Sequence, residues 1–370
     1  MKRFLILVIS ILSFALHTDA QERLVDATDN TPIAFASIFD STGNVVGFTS
    51  NEGDFSKIPA SSYPISLRCI GYEQLVIERP ANKVWKMTPI TYNLKEVVVV
   101  PVKRNILKQT FYIREYFSLN SESDTVTFFI EHMAHRFVPT SKDAKFGGDT
   151  SLRILNSRSY SRFQISDKDI VDFDTKAKFP SMTSICDLKD KDIMAPESFK
   201  ESGNTNKVYK KSSKSGPSLI QRQNAQVFTS VEDLLAGKKD HSKSIWLLKL
   251  VGFDIEFNEF NFKHVDRANN EGIYPPKDLL EANLTMQADG KGKKIRRILN
   301  SEKPVIIRAS VELYTVGEEF LSKEEAKEEY EKQPSYVKYV IPANVPALNK
   351  ATQQLVDRAK AEAKNKNKNN

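Results

Sequence analysis

Apolar and polar positions alternate along this chain in two styles. Between residues 22 and 100 short runs recur about every ten residues, separated by turn signals. The turns are Thr28-Asp29-Asn30, Ser41-Thr42-Gly43-Asn44, Asn51-Glu52-Gly53-Asp54 and Ala60-Ser61-Ser62. Ile33, Phe35 and Ser37 alternate with Ala34, Ala36 and Ile38, and the pattern returns in Val46-Gly47-Phe48-Thr49 and Leu75-Val76-Ile77. Gly43-Asn44 and Gly53-Asp54 supply the positive φ that tight hairpins demand. The spacing predicts an all-β sandwich.

Beyond residue 119 the runs lengthen. Residues 126–138, 152–165, 245–257, 284–299 and 305–316 all exceed the usual strand of about 5–6 residues. In the last of them Val305, Ile307, Ala309, Val311 and Leu313 form one apolar face, opposed by Arg308, Ser310, Glu312 and Tyr314. Strands of this length predict a large, curved antiparallel sheet. Helical spacing is rarer. Pro101-Val102-Lys103-Arg104 reads as a linker, and Ile106, Thr110, Ile113 and Phe117 then predict a docking helix over 105–117. Ser230 with Asp233 and Gly237 predicts a short helix. Ser322-Lys323-Glu324-Glu325 is a capping box, with Leu321 placed to staple Ala326 and a helix expected to about Lys332. Pro346 is expected to open a last helix whose Leu348, Ala351, Leu355 and Ala359 dock on the sheet. Residues 187–218, rich in Lys, Ser, Asp and Gly, read as a mobile surface excursion.

The first twenty residues add a compartment. Lys2 and Arg3, an apolar run over 4–16 and Thr18-Asp19-Ala20 have the layout of a cleaved export leader, too short to span a bilayer. Gln21 follows the expected cut, so the N-terminal cysteine of a lipoprotein is absent there. An uncleaved anchor is the alternative; the polar residues that follow at once favour cleavage. The mature chain is expected in the periplasm or cell envelope. Some 350 mature residues suggest two domains. The division expected is a leader at 1–20, a sandwich at 22–100, linker and helix at 101–118, a β-rich domain at 119–345, and a helix with a basic tail at 346–370.

Charge and cysteine content narrow the function classes. Lys and Arg total 54 against 47 Asp and Glu, a net +7 that is mild and mixed, which gives nucleic-acid binding little support. Lys364, Lys366 and Lys368 alternate with asparagines in a tail read as solvated, with peripheral contact to an anionic membrane or envelope polymer as the second reading. Cys69 and Cys186 lie far apart, which excludes a disulfide-dense framework. Alternation places Cys69 with Ile65 and Leu67, so a core thiol is favoured over a bridge to Cys186.

An ordered set of residues in the first domain carries a likeness. Asp26, then Pro32-Ile33-Ala34-Phe35-Ala36, then Thr49-Ser50-Asn51-Glu52-Gly53-Asp54-Phe55, then Gly71-Tyr72, then Leu94-Lys95-Glu96-Val97-Val98-Val99 resembles the carboxypeptidase regulatory-like domain of Bacteroidetes envelope proteins. The match covers residues 22–100 only. The glycine usual in the first strand is missing near Glu22-Arg23-Leu24-Val25, and Ser50 stands where Asp commonly follows Thr. The resemblance implies a prealbumin-like seven-strand β-sandwich joined to a further envelope domain, and no peptidase activity. Its motif residues, Pro32, Gly53, Phe55, Gly71 and Tyr72, are assigned to backbone and core. The fold class expected is therefore mainly β: that sandwich, then a larger antiparallel β domain with a few helices. In outline the second domain is similar to envelope carriers that cradle acyl chains.

No local motif for catalysis occurs. A zinc carboxypeptidase needs His with Glu three residues on, and none of His17, His132, His135, His241 and His264 has it. His132 and His135 fall on opposite faces of a strand, which argues against a shared metal. There is no Gly-x-Ser-x-Gly elbow or Walker loop; Gly290-Lys291-Gly292-Lys293-Lys294 lacks the spacing and reads as a hairpin turn. Tyr160, Phe163, Trp246, Phe253, Phe257, Phe260 and Phe262 are expected to fill core, with a ligand groove as the alternative. The expectation is a non-catalytic exported binding or scaffold module without cofactor, metal or nucleic acid, contacting an envelope protein or a hydrophobic ligand. A periplasmic carrier of a lipid or other hydrophobic ligand is the second reading. A hydrolase whose site is assembled from distant strands is the third.

Overall fold

Short alternating runs make two small sheets in the N-terminal segment. The computed structural model describes residues 22–81, 83–92, 104–141, 144, 146, 151–175, 193–194, 207–211, 219–224, 226–235, 254–332, 338–339, 341, 343 and 345–369. Strands β1 (Arg23–Asp26), β2 (Ser37–Phe39), β3 (Val45–Phe48), β4 (Ile65–Arg68), β5 (Leu75–Ile77) and β6 (Val84–Met87) build this part. They form an antiparallel sheet in the order β3-β2-β4-β5 and a parallel β1-β6 pair. Leu24, Ile33, Ala36, Ile38, Phe55, Ile65, Leu67, Cys69, Ile77 and Met87 fill the space between them. The expected leader at 1–20 and the last run of the family-like set, 94–99, lie outside the described residues.

Gly53 holds this small core to its first strand. Its φ is +74°, and its carbonyl accepts from Leu24 N at 2.8 Å. A Cβ there would stand 2.3 Å from the Leu24 carbonyl oxygen, so a side chain meets both an unfavourable φ and the neighbouring backbone. Phe55, two residues on, is 2% exposed in the core, as its sequence position suggests.

The larger part is one ten-stranded antiparallel sheet. Its strands are β7 (Ile106–Asn120), β8 (Thr125–Pro139), β9 (Arg153–Ile165), β10 (Lys168–Asp174), β12 (Lys207–Lys211), β13 (Leu219–Gln223), β14 (Val227–Asp233), β15 (Ile255–Arg267), β17 (Leu279–Gly290) and β18 (Val305–Leu321). Their order is β10-β9-β8-β7-β18-β17-β15-β14-β13-β12, while β11 (Ile193–Met194) and β16 (Ile273–Tyr274) pair separately. Register shifts at Met133/Ala134, Phe257/Glu259, Val265/Asp266 and Thr315/Gly317 interrupt the long ladders, and bulges of this kind bend strands and increase twist.

Four expectations are corrected here. The segment read as a helix over 105–117 is β7, a central strand. Both of its faces are buried, so apolar residues occupy alternate and intervening positions alike and a helical period emerges by coincidence. The helix expected at 230–235 is instead β14, whose edges are taken up by β13 and β15; two ladders outweigh one capping residue. The run at 284–299 ends as a strand at Gly290, where a Cβ would stand 2.6 Å from Ile295. The chain turns there into helix α1 (Lys293–Ile298), so the glycine-lysine stretch joins a strand to a helix and not two hairpin strands. The excursion at 187–218 contributes β11 and β12, and the remainder of it, like residues 236–253, lies outside the described residues.

Two helices follow expectation closely. Helix α2 (Lys323–Glu331) has the reciprocal capping box between Ser322 and Glu325, and Leu321 packs with Ala326. Helix α3 (Lys350–Asn369) begins four residues after Pro346, with Asn349 Oδ1 accepting from Thr352 N at 2.8 Å. Leu355, Val356 and Ala359 dock on β9 and β10, so Ala351 gives way to Val356 in the docking stripe, and the basic tail continues the helix. Arg358 pairs with Asp169 at 2.7 Å, and Lys366 stands 3.7 Å from Asp172.

Replacing Gly53 with alanine should lower the unfolding free energy by about 2 kcal/mol or more, from φ strain and the Leu24 contact together. Urea denaturation read by near-UV circular dichroism checks it. A change within about 0.5 kcal/mol, the size of a neutral surface substitution, would contradict the geometry.

Candidate functional site

Register assigns every long strand two faces, because directly paired residues share a side. On one face lie Ser310, Glu312 and Tyr314 of β18, Glu281 of β17, Lys263 of β15 and Tyr112, Arg114 and Tyr116 of β7. Ser310, Glu312 and Tyr314 form the polar side opposite the apolar face of β18, yet all three are buried. The sandwich covers them.

The contact between sandwich and sheet is a seam of buried polar pairs. Arg68 donates to both carboxylate oxygens of Glu312, at 2.9 and 2.8 Å, and to the Ala347 carbonyl at 2.8 Å. Burial opposes ionisation of Glu312, but the Arg68 guanidinium overrides it and holds the carboxyl below its ordinary range. Arg222 meets Asp26 at 2.6 Å, and Tyr72 donates to the same carboxylate at 3.0 Å. Lys263 Nζ lies 3.0 Å from both Cys69 Sγ and the Ile70 carbonyl. Cys69 is a free thiol in the sandwich core, while Cys186 lies outside the described residues. Glu281 accepts from Gly71 N and from Tyr92 Oη, each at 3.1 Å, and burial pushes its carboxyl up to about 7.

The motif residues of the first domain thus have structural positions, two of them on the seam. Gly71, with φ +82°, offers its N–H to Glu281, and Tyr72 joins Asp26 to Arg222. Gly53 and Phe55 stay within the sandwich, and exposed Pro32 makes a single bridge to Val25.

The opposite face of the sheet is apolar and carries the largest hydrophobic cluster among the described residues. Phe111, Ile113, Phe117, Val126, Ile130, Leu284, Met286, Val305, Val311 and Leu313 are among its buried members. Phe128, Phe163, Phe257, Phe260 and Phe262 pack against that cluster while remaining partly open. Among the described helices only α1, through Ile295 and Ile298, lies on this side; α2 and α3 pack on the sandwich side. Of the aromatics considered for a groove, Phe163, Phe257, Phe260 and Phe262 are here. Tyr160 sits across the sheet with α3, and Trp246 and Phe253 lie outside the described residues.

Two polar insets interrupt the apolar face. At one, β7, β8 and β9 bring together Glu115, His132 and Ser157, residues that sequence reading does not connect. His132 Nδ1 lies 2.6 Å from Ser157 Oγ and Nε2 lies 3.4 Å from Glu115 Oε1. His132 and Glu115 are fully buried, and Ser157 is partly open. At the other, Arg136 donates to Gln109 at 2.8 Å and to the Pro276 carbonyl at 2.9 Å, near His264 and Asp266. Burial, with the Arg136 charge, pulls the His264 imidazole down to about 3. Burial also pushes the Asp266 carboxyl well up, with Asp278 adding to it. His135 faces the opposite side of β8, as odd spacing requires, and burial, with the charge of Lys108, pulls it down to about 4. Among the described residues no three His, Cys, Asp or Glu are placed to hold a metal ion, and no helix is long and apolar enough to cross a membrane.

No family model matches the chain, and no curated protein matches it. A solved structure described as lipid–protein interactions in lipovitellin is similar over 66% of this chain and 27% of that one, with 10% identity and a TM-score of 0.29.

Two outcomes test the seam. Arg68→Met alone should cost about 3–5 kcal/mol by leaving a buried carboxylate uncompensated, and Arg68→Met with Glu312→Leu should cost less; a double-mutant cycle in urea measures both. Glu281→Gln should gain on the parent as pH rises. The folded carboxyl lies above its unfolded value, so its stabilising contribution is complete below about pH 4.5 and is lost as pH climbs through about 7. Unfolding midpoints at about pH 5 and about pH 8 check the sign.

Proposed function

We propose that this chain is an exported cell-envelope binding protein that holds an amphipathic acyl-chain ligand on the apolar face of its ten-stranded sheet. The observation that carries the reading is the arrangement of the two faces. The sandwich, α2 and α3 all occupy one side, and the largest apolar cluster occupies the other. Its margin of partly open phenylalanines is suited to an acyl chain, which needs area without directional partners. The polar insets within that face are suited to the single polar end such a ligand carries.

In this reading the N-terminal domain is a carboxypeptidase regulatory-like sandwich of prealbumin type acting as a support. Its motif residues hold the backbone, the core and the seam, which supports a positioning role without reactive groups of its own. The layout of residues 1–20 supports export to the periplasm or envelope. The charged surface of α3 could meet an anionic headgroup region, although Arg358 and Lys366 already face Asp169 and Asp172.

Mature protein purified from an envelope fraction should yield acyl lipid on organic extraction, and the delipidated protein should bind cis-parinaric acid saturably by fluorescence. Phe260→Asp and Phe262→Asp, at partly open positions, should each weaken that binding about 10- to 100-fold, the worth of one buried phenyl ring. Absence of both extracted lipid and saturable binding would remove the proposal.

A further inference from the structure

We infer that Ser157, His132 and Glu115 form a nucleophilic centre that cleaves an acyl ester lying on the apolar face; this rests on the ligand reading above and adds a reaction to it. The starting point is chemical cost. On a sheet face made mainly of Val, Leu, Ile, Phe and Ala, an acid and an imidazole only 0% and 1% exposed are expensive, and apolar side chains of similar size would pack there at less cost. Their arrangement is the one that activates a serine hydroxyl. The nucleophile lies within hydrogen-bond reach of a base, and the base is oriented by a third group.

Each member comes from a different strand, and the sheet sets their positions. Ser157 on β9 lies directly opposite His132 on β8, which lies opposite Ile113 on β7; Glu115 is the next residue of β7 on that same face. Ser157 Oγ is 2.6 Å from His132 Nδ1. When the hydroxyl donates to Nδ1, the imidazole proton sits on Nε2, facing Glu115 Oε1 at 3.4 Å. That second contact is longer than a good hydrogen bond, as is common before substrate binds. Ser157 alone of the three is partly open, so the nucleophile stands at the surface with its base and orienting carboxylate beneath.

The reaction balances without any further reagent. Ser157 Oγ attacks the ester carbonyl carbon and passes its proton to His132 Nδ1; the carbon–alkoxy bond breaks, and the alcohol leaves with that proton. Water then attacks the acyl-serine, its proton returning through His132 to Ser157 Oγ. Ester and water become carboxylic acid and alcohol. Glu115 is a positioning residue: it selects the imidazole tautomer and stabilises the imidazolium. Partly open Phe128 and Phe163, on the same face of β8 and β9, offer a surface for the acyl chain.

The test uses the full mature chain with an alkyl fluorophosphonate, which forms an Oγ–P bond and releases fluoride, followed by peptide mapping. Label is expected on Ser157, falling about 10²-fold in His132→Gln, while Ser159→Ala labels as the parent does. Hydrolysis of p-nitrophenyl octanoate should be lost in Ser157→Ala, a variant that preserves packing, with folding checked by circular dichroism. Glu115→Gln should lower the rate of labelling while leaving cis-parinaric acid binding unchanged, and Glu115→Asp should restore part of that rate. Label absent from Ser157, or indifferent to His132, overturns the inference. If cis-parinaric acid still binds in that case, the ligand reading stands; if it does not bind, both readings fall.

Discussion

The whole architecture depends on a buried ion pair, Arg68 with Glu312, that joins a small sandwich to the middle of a wide sheet. Glu312 lies on β18, one of the two central strands, and Arg68 closes β4 of the sandwich. Removing a carboxylate and a guanidinium from water is offset only by close geometry and full hydrogen bonding. Here both carboxylate oxygens and the third guanidinium nitrogen have partners. The pair therefore contributes orientation more than net stability. Combined with Arg222–Asp26 and Glu281 beneath Gly71 and Tyr92, it defines one seating of the sandwich, where an apolar contact of equal area would tolerate several.

Fixing one face in this way decides the use of the other. A ten-stranded sheet has two broad surfaces to cover, and this chain commits its sandwich and two of its helices to the same one. The remaining surface is where strands β9 to β15 concentrate Val, Leu, Ile and Phe. Its insets, Glu115 with His132 and Ser157, and Gln109 with Arg136, set polar points within an otherwise oily field. This combination of breadth, apolar character and a few directional groups is what the proposed amphipathic ligand rests on.

Much of this was legible in the amino-acid order, and the losses have physical reasons. Alternation in residues 305–316 identified both faces of β18, and the capping box at Ser322 located α2 to within a residue. Two-sided burial hid β7: once the sandwich covers Tyr112, Arg114 and Tyr116, the polar half of the alternation disappears and the run resembles an apolar helix. Capping chemistry misled at Ser230 because strand pairing on both sides is a non-local term. The seam and the Ser157 inset were invisible for the same reason. Arg68 and Glu312 are 244 residues apart, and His132 and Ser157 are neighbours only through ladder register. The odd spacing of His132 and His135 was informative, since it separated a histidine on the apolar face from one beside Lys108.

The pairing of β7 with β18 has a consequence for how the molecule comes into being. That pairing joins residues 106–120 to residues 305–321 near the middle of the sheet, so its two halves cannot close on each other until most of the polypeptide has emerged. Hairpins such as β7–β8 and β8–β9 are available early, but the surface that seats the sandwich is completed late. Non-local closure of this kind is slow. A chain that delays its own collapse stays threadable for longer, a property that would serve the export proposed above.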